Sequence, residues 1–343
     1  MIDPFLVEVT RGDIVESRHR GAIAVVDASG AVRAAIGDIE QAVFPRSAVK
    51  AIQALPLVES GAAERYGFGQ AELALACASH SGEPRHVETA GRMLAAAGRS
   101  EADLECGTHL PIDRSAAEAL IRAGAAPTSL HNNCSGKHAG FVCFACHAGM
   151  PVRDYVTPDH PVQREVTAVL EAMTDTKLGA EVRGIDGCSI PAYAIPLEKL
   201  ALGMARLVTG EGVPPGRAKA AARLVDACFA GPFMVAGSNR FDTDAMTLFG
   251  RRLFVKGGAE GVWCGAFPDL GLGIALKCDD GAGRAAEVAM AAVIEAFLKP
   301  NAPERERFGD RLTVPVLTRN GKQVGEVRPA DGLIAALREG RAS

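Results

Sequence analysis

The strongest constraint on the fold is the order of two kinds of segment along the chain. Residues 5–36 alternate short β-like runs with turn residues such as Ser29-Gly30, which predicts an antiparallel meander. Residues from about 70 to 230 read mainly as helices, and strand-like runs return after residue 250, before a helix predicted over 283–298. This order predicts an α/β fold in which an antiparallel sheet from both chain ends is flanked by helices, with a helical subdomain inserted.

Three local predictions refine this order. The C-terminal segment LTVPVLTRNGKQVGEVRP is typical of a hairpin with Asn320-Gly321 in a type I′ turn. After Pro45, apolar residues recur at roughly helical spacing, so a helix is predicted to begin near Arg46. No repeat or flexible linker divides the chain, and we expect residues 1–343 to form a single catalytic domain.

The composition narrows the classes of function. Hydrophobic residues make up 48% of the chain and charged residues 23%, so a sizeable core is expected. A net charge of −4 without a basic stripe argues against a nucleic-acid partner. Because neither a signal peptide nor a run of about 18 apolar residues is visible, we expect a cytoplasmic protein with no membrane span. Its nine cysteines are then expected to be reduced.

Ser47 and Lys50 have the spacing of a nucleophile and its base. Residues three apart lie on one face of a helix. A lysine amine can take the proton of a serine hydroxyl when burial or a nearby cation lowers the lysine pKa. The same spacing also arises where a serine caps a helix and a lysine is solvated, and the spacing alone favours that simpler interpretation.

Two further segments place polar residues where a cleft could form. The segment CASHSGE follows an apolar helix and would expose Ser79, although a helix cap and turn explains it equally well. Lys256 leaves a predicted strand and precedes Gly257-Gly258. Glycine lets the backbone approach a ligand closely, so this amine could reach one; a surface lysine in a turn is the alternative.

The segment HNNCSGKH, residues 131–138, is dense in metal-ligating and catalytic residue types. Cys134 with Lys137 or His138, together with the distant Cys188, could form a zinc site. A Cys134 nucleophile with His138 as its base is a second interpretation. A helix-capping loop with a buried thiol is a third, and the spacing does not decide among them.

Taken together, five segments resemble the rhizobial-type, or class 3, L-asparaginases: FPRSAVK, CASHSGE, HNNCSGKHAGF, IDGCSIP and VKGGAEG. They occur in the order of that family between about residue 7 and about residue 300, which is far more specific than any one segment. The resemblance implies a fold similar to serine β-lactamases and penicillin-binding-type glutaminases. It also implies a homodimer that hydrolyses L-asparagine to L-aspartate and ammonia.

The resemblance further implies two Ser–Lys tandems and a zinc ion (Zn²⁺) near them. Ser47 with Lys50 matches the first tandem, and Ser79 with Lys256 matches the second, which would relay protons. The implied zinc ligands are Cys134, Lys137 and Cys188. A lysine ligand is unusual, because the ammonium must lose its proton before it can bind a metal.

These positions suggest a mechanism. We expect Asp186 to bind the α-ammonium of the substrate, Arg46 to bind its α-carboxylate, and His138 to contact it as well. Ser47, deprotonated by neutral Lys50, would attack the side-chain amide carbon and release ammonia, and water would hydrolyse the acyl-enzyme. The zinc ion would be structural or would orient the substrate.

Other functions are compatible with the same segments. One methylene separates glutamine from asparagine, so a glutaminase or a β-lactam-type hydrolase on this fold is an alternative. The two tandems could exchange roles, which would make Ser79 the nucleophile. A non-catalytic protein that binds a metal or senses an amino acid is the third alternative.

Overall fold

An antiparallel sheet built from both chain ends forms the centre of the computed structural model, which describes residues 2–340. The strands are β1 (Phe5–Arg11), β2 (Ile14–Asp27), β3 (Val32–Ile36), β4 (Ala42–Val43), β5 (Arg183–Ile185), β6 (Pro191–Tyr193), β7 (Ile195–Pro196), β8 (Phe254–Gly257), β9 (Val262–Phe267), β10 (Leu272–Cys278), β11 (Val314–Leu317) and β12 (Gln323–Pro329). Within the described residues, the main sheet has eight strands in the order β11-β12-β1-β2-β10-β9-β8, with β3 paired to β2.

Helices cover this sheet and form the region inserted between its two halves. They are α1 (Lys50–Gln53), α2 (Leu55–Glu59), α3 (Ala62–Arg65), α4 (Gln70–Ala76), α5 (Pro84–Ala96), α6 (Arg114–Arg122), α7 (Ser135–His147), α8 (Pro161–Thr174), α9 (Leu197–Thr209), α10 (Pro215–Ala230), α11 (Pro232–Val235), α12 (Phe241–Phe249), α13 (Gly283–Leu298), α14 (Ala302–Leu312) and α15 (Leu333–Glu339). Helices α4 to α11 make up the predicted inserted region, which also contains β5, β6 and β7. Strand β5 pairs with β6, and β7 pairs with β4, which precedes α1.

The core lies between the main sheet and two long helices. Helix α9 packs against β2, β9 and β10, and helix α13 packs against β1, β9, β10 and β12. Strand β9 is buried at every residue, as expected for a strand covered on both faces. The predicted α/β class, with helices flanking an antiparallel sheet, is confirmed, and the assignment of residues 1–343 to one domain stays a prediction. Among residues 2–340, no helix is both long and apolar enough to cross a membrane.

In the sequence, DIVESRH (residues 13–19) and GAIAVVDA (residues 21–28) resemble two short strands, but in the structure they lie in one continuous strand, β2. Gly21 lies at their junction, where a Cβ atom would overlap the backbone oxygen of Lys277 in β10. Glycine is therefore required here for the close approach of two strands, and it does not mark a turn.

The C-terminal hairpin is confirmed, but the prediction of a type I′ turn is wrong. The carbonyl oxygen of Thr318 accepts a hydrogen bond from the Gly321 N–H at 3.0 Å, and Gly321 has a φ of 85°. Asn320 lacks the positive φ that a type I′ turn requires of both central residues. The loop is instead a turn closed by a left-handed glycine, which adds one residue to the connection.

Candidate active site

The segment after Pro45 begins near Arg46 as predicted but is not one helix. A 3₁₀-helix, Arg46–Val49, leads into α1. The helix is interrupted again at Ala54, before α2 begins with Leu55 and Pro56. Arg46 has a φ of 51°, a left-handed conformation that costs a non-glycine residue about 1–3 kcal/mol. The backbone is thus held in a strained conformation directly beside Ser47.

Ser47 and Lys50 are not hydrogen-bonded to each other in the described residues. Ser47 is half-buried, and its hydroxyl makes no hydrogen bond to any of residues 2–340. Lys50 is buried, and its Nζ donates to the carbonyl oxygens of Ala78 at 2.6 Å and Asn133 at 3.4 Å and to Cys134 Sγ at 3.1 Å. Lys50 therefore ties the 3₁₀ segment to two neighbouring loops, while the Ser47 hydroxyl stays free.

Asn133 links the two predicted tandems. Its Nδ2 donates to the Ser79 hydroxyl at 3.1 Å, and its carbonyl oxygen accepts from Lys50. Sequence reasoning did not select Asn133, although it stands within the polar segment HNNCSGKH. The density of polar residues there was the available signal, and only the folded chain shows which of them meets Ser79.

Lys256 is bound to an acidic residue that sequence reasoning missed. Its Nζ lies 3.3 Å from Oδ1 of Asp242 and 3.1 Å from the Gly257 carbonyl oxygen, and makes no hydrogen bond to Ser79 among the described residues. The Gly257 N–H donates to the same Oδ1 at 3.0 Å. Burial lowers the pKa of Lys256, and the Asp242 charge opposes that shift. Asp242 stands in the first turn of α12, where an aspartate is normally a solvated partner of the helix dipole.

The glycine pair after Lys256 brings β8 against the Ser47 segment. A Cβ atom on Gly258 would lie 2.6 Å from the Pro45 carbonyl oxygen and 3.4 Å from the Ala48 Cβ. No larger residue fits without moving that backbone. The lack of a side chain at Gly258 therefore allows the two distant motifs to meet.

The three predicted zinc ligands lie together. Helix α7 begins at Ser135, so Lys137 stands in its first turn. Its Nζ lies 3.1 Å from Cys188 Sγ, and the thiol of Cys188 hydrogen-bonds to Cys134. This bond and the charges of Lys50 and Lys137 hold the pKa of Cys134 well below its usual value. The same hydrogen bond, together with burial, raises the pKa of Cys188, which therefore keeps its proton.

The donor set fits zinc on one condition. Among residues 2–340, no three His, Cys, Asp or Glu side chains could hold a metal ion, so a metal here needs the Lys137 amine. Two thiolates and one nitrogen are donors that zinc accepts. Burial alone would lower the pKa of Lys137, but the nearby Cys188 and Cys134 sulfurs raise it overall. The Lys137 ammonium must therefore lose its proton before its nitrogen can bind a metal.

The two residues expected to bind the substrate are paired with each other. Arg46 donates to Asp186 from Nε at 3.0 Å and from Nη2 at 3.2 Å, a bidentate ion pair. Burial would raise the pKa of Asp186, but the Arg46 hydrogen bonds and the Lys137 charge lower it overall. The pair borders a small cavity that Lys50 and Lys137 also line.

His138 is buried and, within residues 2–340, its ring makes no hydrogen bond to these groups. Its Nδ1 shares a hydrogen bond with the Tyr155 hydroxyl at 2.8 Å, and its Nε2 has no partner among the described residues. Burial lowers the pKa of His138 well below its usual value, so the ring is neutral. No hydrogen bond within residues 2–340 joins this ring to the Cys134 thiol, and the Cys134–His138 dyad lacks support. A contact between His138 and the substrate stays a prediction.

The sequence profile described as L-asparaginase II matches residues 7–329. The chain belongs to the L-asparaginase II family. The resemblance inferred from the five segments is thereby confirmed at the level of the family, which supports an amidohydrolase. A comparison with curated proteins finds no match.

Solved structures of a protein named Mglu are similar to this L-asparaginase II family member at a distance. One has 15% identity and a TM-score of 0.37, covering 82% of this chain and 67% of that chain. Its native form has 17% identity and a TM-score of 0.37, with 88% and 69% covered. Its tris and glutamate form has 15% identity and a TM-score of 0.37, with 87% and 63% covered. Likenesses this distant carry no argument about the activity of the L-asparaginase II family member.

Proposed function

We propose that the protein hydrolyses the side-chain amide of L-asparagine to L-aspartate and ammonia. The observation that carries this proposal is the Arg46–Asp186 ion pair at the edge of the cavity. A guanidinium and a carboxylate side by side can receive the α-carboxylate and the α-ammonium of one amino acid, each exchanging its protein partner for a substrate group. Membership of the L-asparaginase II family supports the amide as the bond that reacts.

Ser47 is the proposed nucleophile. Its hydroxyl is half-buried and makes no hydrogen bond within residues 2–340, so nothing has to be broken before it attacks. Lys50, three residues later, would leave its bond to the Ala78 carbonyl and take the Ser47 proton. A bond forms between Oγ and the amide carbon, the carbon–nitrogen bond breaks as ammonia leaves, and water then hydrolyses the ester.

The second tandem would assist this reaction. Because the Ser79 oxygen accepts the Asn133 N–H, its own proton is free to point towards the substrate. Lys256 would place positive charge and a proton near the leaving group. In this proposal Ser79 and Lys256 lower the barrier without forming a bond to the substrate.

Zinc belongs to the same proposal. Cys134 and Cys188 would hold it through sulfur and Lys137 through a neutral amine. When bound, the ion supplies positive charge beside the cavity that the Arg46–Asp186 pair borders.

We expect purified protein to carry zinc at about one ion per chain, and Cys188→Ser to lose most of it, because the site then keeps only two of its three proposed ligands. Zinc affinity should rise with pH, since binding displaces protons from the ligands. Metal content measured by mass spectrometry tests this prediction. Cys146→Ser, at the far end of α7, is the matched control and should retain zinc. Full zinc content in Cys188→Ser would show that the ligands lie elsewhere.

Asp186→Asn should raise KM for L-asparagine by about 100-fold with a smaller change in kcat, because a charged hydrogen bond contributes about 1.5–3 kcal/mol. Succinamic acid, which is asparagine without its α-amino group, provides the matched control. If Asp186 binds the ammonium, the wild type and Asp186→Asn should hydrolyse succinamic acid equally poorly. A variant that loses as much with succinamic acid as with asparagine would contradict this role.

The choice of substrate is tested by ammonia release from L-asparagine and L-glutamine. We expect kcat/KM to favour asparagine by at least about tenfold, since one methylene in a pocket changes it by about 10–200-fold. Faster turnover of glutamine would make the protein a glutaminase. Hydrolysis of a β-lactam in preference to both would indicate the third substrate class.

Two further expectations remain part of the proposal. The homodimer, which the resemblance implies, would sediment at twice the chain mass of 35.7 kDa. We also propose a cytoplasmic location, which cell fractionation would test.

A further inference from the structure

The carboxylate of Asp242 is unusual in its burial and in its hydrogen bonds. Its side chain is 0% exposed, and that of Lys256 is 1% exposed. Oδ1 accepts both the Lys256 ammonium at 3.3 Å and the Gly257 N–H at 3.0 Å. Oδ2 is buried and has no hydrogen-bond partner among the described residues.

Such a pair does not arise from stability alone. Removing a carboxylate and an ammonium from water costs several kcal/mol for each ion, and an oxygen left without a hydrogen bond recovers none of that cost. Apolar residues of similar size would fill this space with less loss. Strand β8, which carries Lys256, packs against residues 46–49, which include the proposed nucleophile. Burial of the pair at this place therefore points to a role in the chemistry.

The other charged groups near the pair favour a neutral Lys256. Arg240, which precedes α12, lowers its pKa, and Lys50 on α1 does the same whenever Lys50 carries a proton. Cys77, at the end of α4, is neutral, because its hydrogen bond with Cys228 and its burial raise its pKa. Glu287 on α13 faces Asp242, and burial raises the pKa of Glu287. Asp242 is thus the group that keeps a proton on Lys256.

We propose that Asp242 is a positioning residue that holds Lys256 as an ammonium ion and directs it towards the reacting amide. This inference rests on the proposed function. An ammonium cannot accept the proton of a serine, so Lys256 is not the base that activates Ser47, and that role stays with Lys50 as in the proposed function.

The protons then balance over one turnover. Lys50 takes the Ser47 proton, and Lys256 gives its proton to the amide nitrogen as the carbon–nitrogen bond breaks and ammonia leaves. Water attacks the ester and returns a proton to Lys256, and Lys50 returns its proton to the Ser47 oxygen as the carbon–oxygen bond breaks. No oxidant, reductant or further reactant is needed.

Asp242→Asn tests this inference, because it removes the charge and keeps an oxygen for the Gly257 N–H. NMR of isotope-labelled lysine Cε, assigned with Lys256→Arg, reports the charge of Lys256 directly. We expect an ammonium at neutral pH in the wild type and a titration at lower pH in Asp242→Asn. In Asp242→Asn we also expect kcat to fall about 100-fold with little change in KM. The pH above which activity declines should be lower than in the wild type, because Lys256 loses its proton at lower pH.

Asp244→Asn is the matched control, because it lies on the same helix and is ion-paired with Arg311 instead. It should leave the Lys256 titration and kcat unchanged. A neutral Lys256 in the wild type at neutral pH would overturn the inference even if Asp242→Asn does not fold. An unchanged Lys256 titration in folded Asp242→Asn would also overturn it. If no amide is hydrolysed by the wild type, the proposed function fails, whereas the titration still decides the role of Asp242.

Discussion

Ser47→Ala is expected to lower kcat for ammonia release from L-asparagine by about 10⁴-fold or more, whereas Ser79→Ala lowers it by about 10–100-fold. The difference follows from their hydrogen bonds. The Ser47 oxygen is free to form the acyl bond, while the Ser79 oxygen accepts the Asn133 N–H at 3.1 Å and suits a supporting role. Steady-state ammonia release from the three proteins gives the ratio, and mass spectrometry of acid-quenched enzyme detects the acyl group on Ser47.

Two controls make this experiment decisive. Ser60→Ala, a half-buried serine at the end of α2, should keep wild-type turnover. Zinc content and circular dichroism should be the same in all variants, so that a lost activity reflects a lost hydroxyl. Near-normal turnover by Ser47→Ala would remove it as nucleophile and leave Ser79 and Cys134 as the candidates.

Gly273→Ala is expected to destabilise the fold by about 3 kcal/mol or more. Gly273 lies in β10, where α9 packs directly on the strand. A Cβ atom there would overlap the backbone oxygen of Ala201 and the backbone nitrogen of Ala205. Because both obstacles are helix backbone, no rotamer change relieves them, and α9 has to move away from the sheet. Urea unfolding followed by circular dichroism measures the change in free energy of unfolding.

Gly216→Ala is the matched control for this substitution. Gly216 lies in α10, and a Cβ atom there would meet no atom within 4 Å. Alanine in a helix is more favourable than glycine by about 0.5–1 kcal/mol, so this variant should be as stable as the wild type or slightly more so. A Gly273→Ala protein as stable as Gly216→Ala would mean that α9 and β10 are less tightly packed than the structure indicates.

The order of strands and helices follows from local patterns in the sequence. Periodicity and a proline at the first position predict a helix over 161–173, and α8 spans Pro161–Thr174. The apolar spacing at 283–298 predicts α13 with the same bounds. Each helix or strand must bury one of its faces, and the apolar residues of that face come from the element itself. The pattern can therefore be recognised in the local sequence.

Local patterns fail where another part of the chain decides the backbone. Gly21 stands between two strand-like runs in the sequence, yet β10 approaches it closely and β2 continues through it without a break. Asn320-Gly321 is the sequence of a type I′ turn, yet only the glycine adopts a positive φ. At both places the local sequence is compatible with more than one backbone conformation, and the pairing of neighbouring strands decides which one forms.

The sequence by itself determined the family and the segments in which the candidate site residues lie, since five ordered motifs can be identified without any knowledge of their contacts. The tertiary structure alone decided the partner of each side chain. It pairs Lys50 with Cys134 and with two carbonyl oxygens rather than with Ser47. It also pairs Lys256 with Asp242 rather than with Ser79. The physical reason is that a hydrogen bond depends on distances of about 3 Å between atoms far apart in sequence, which only the packing of strands and helices sets.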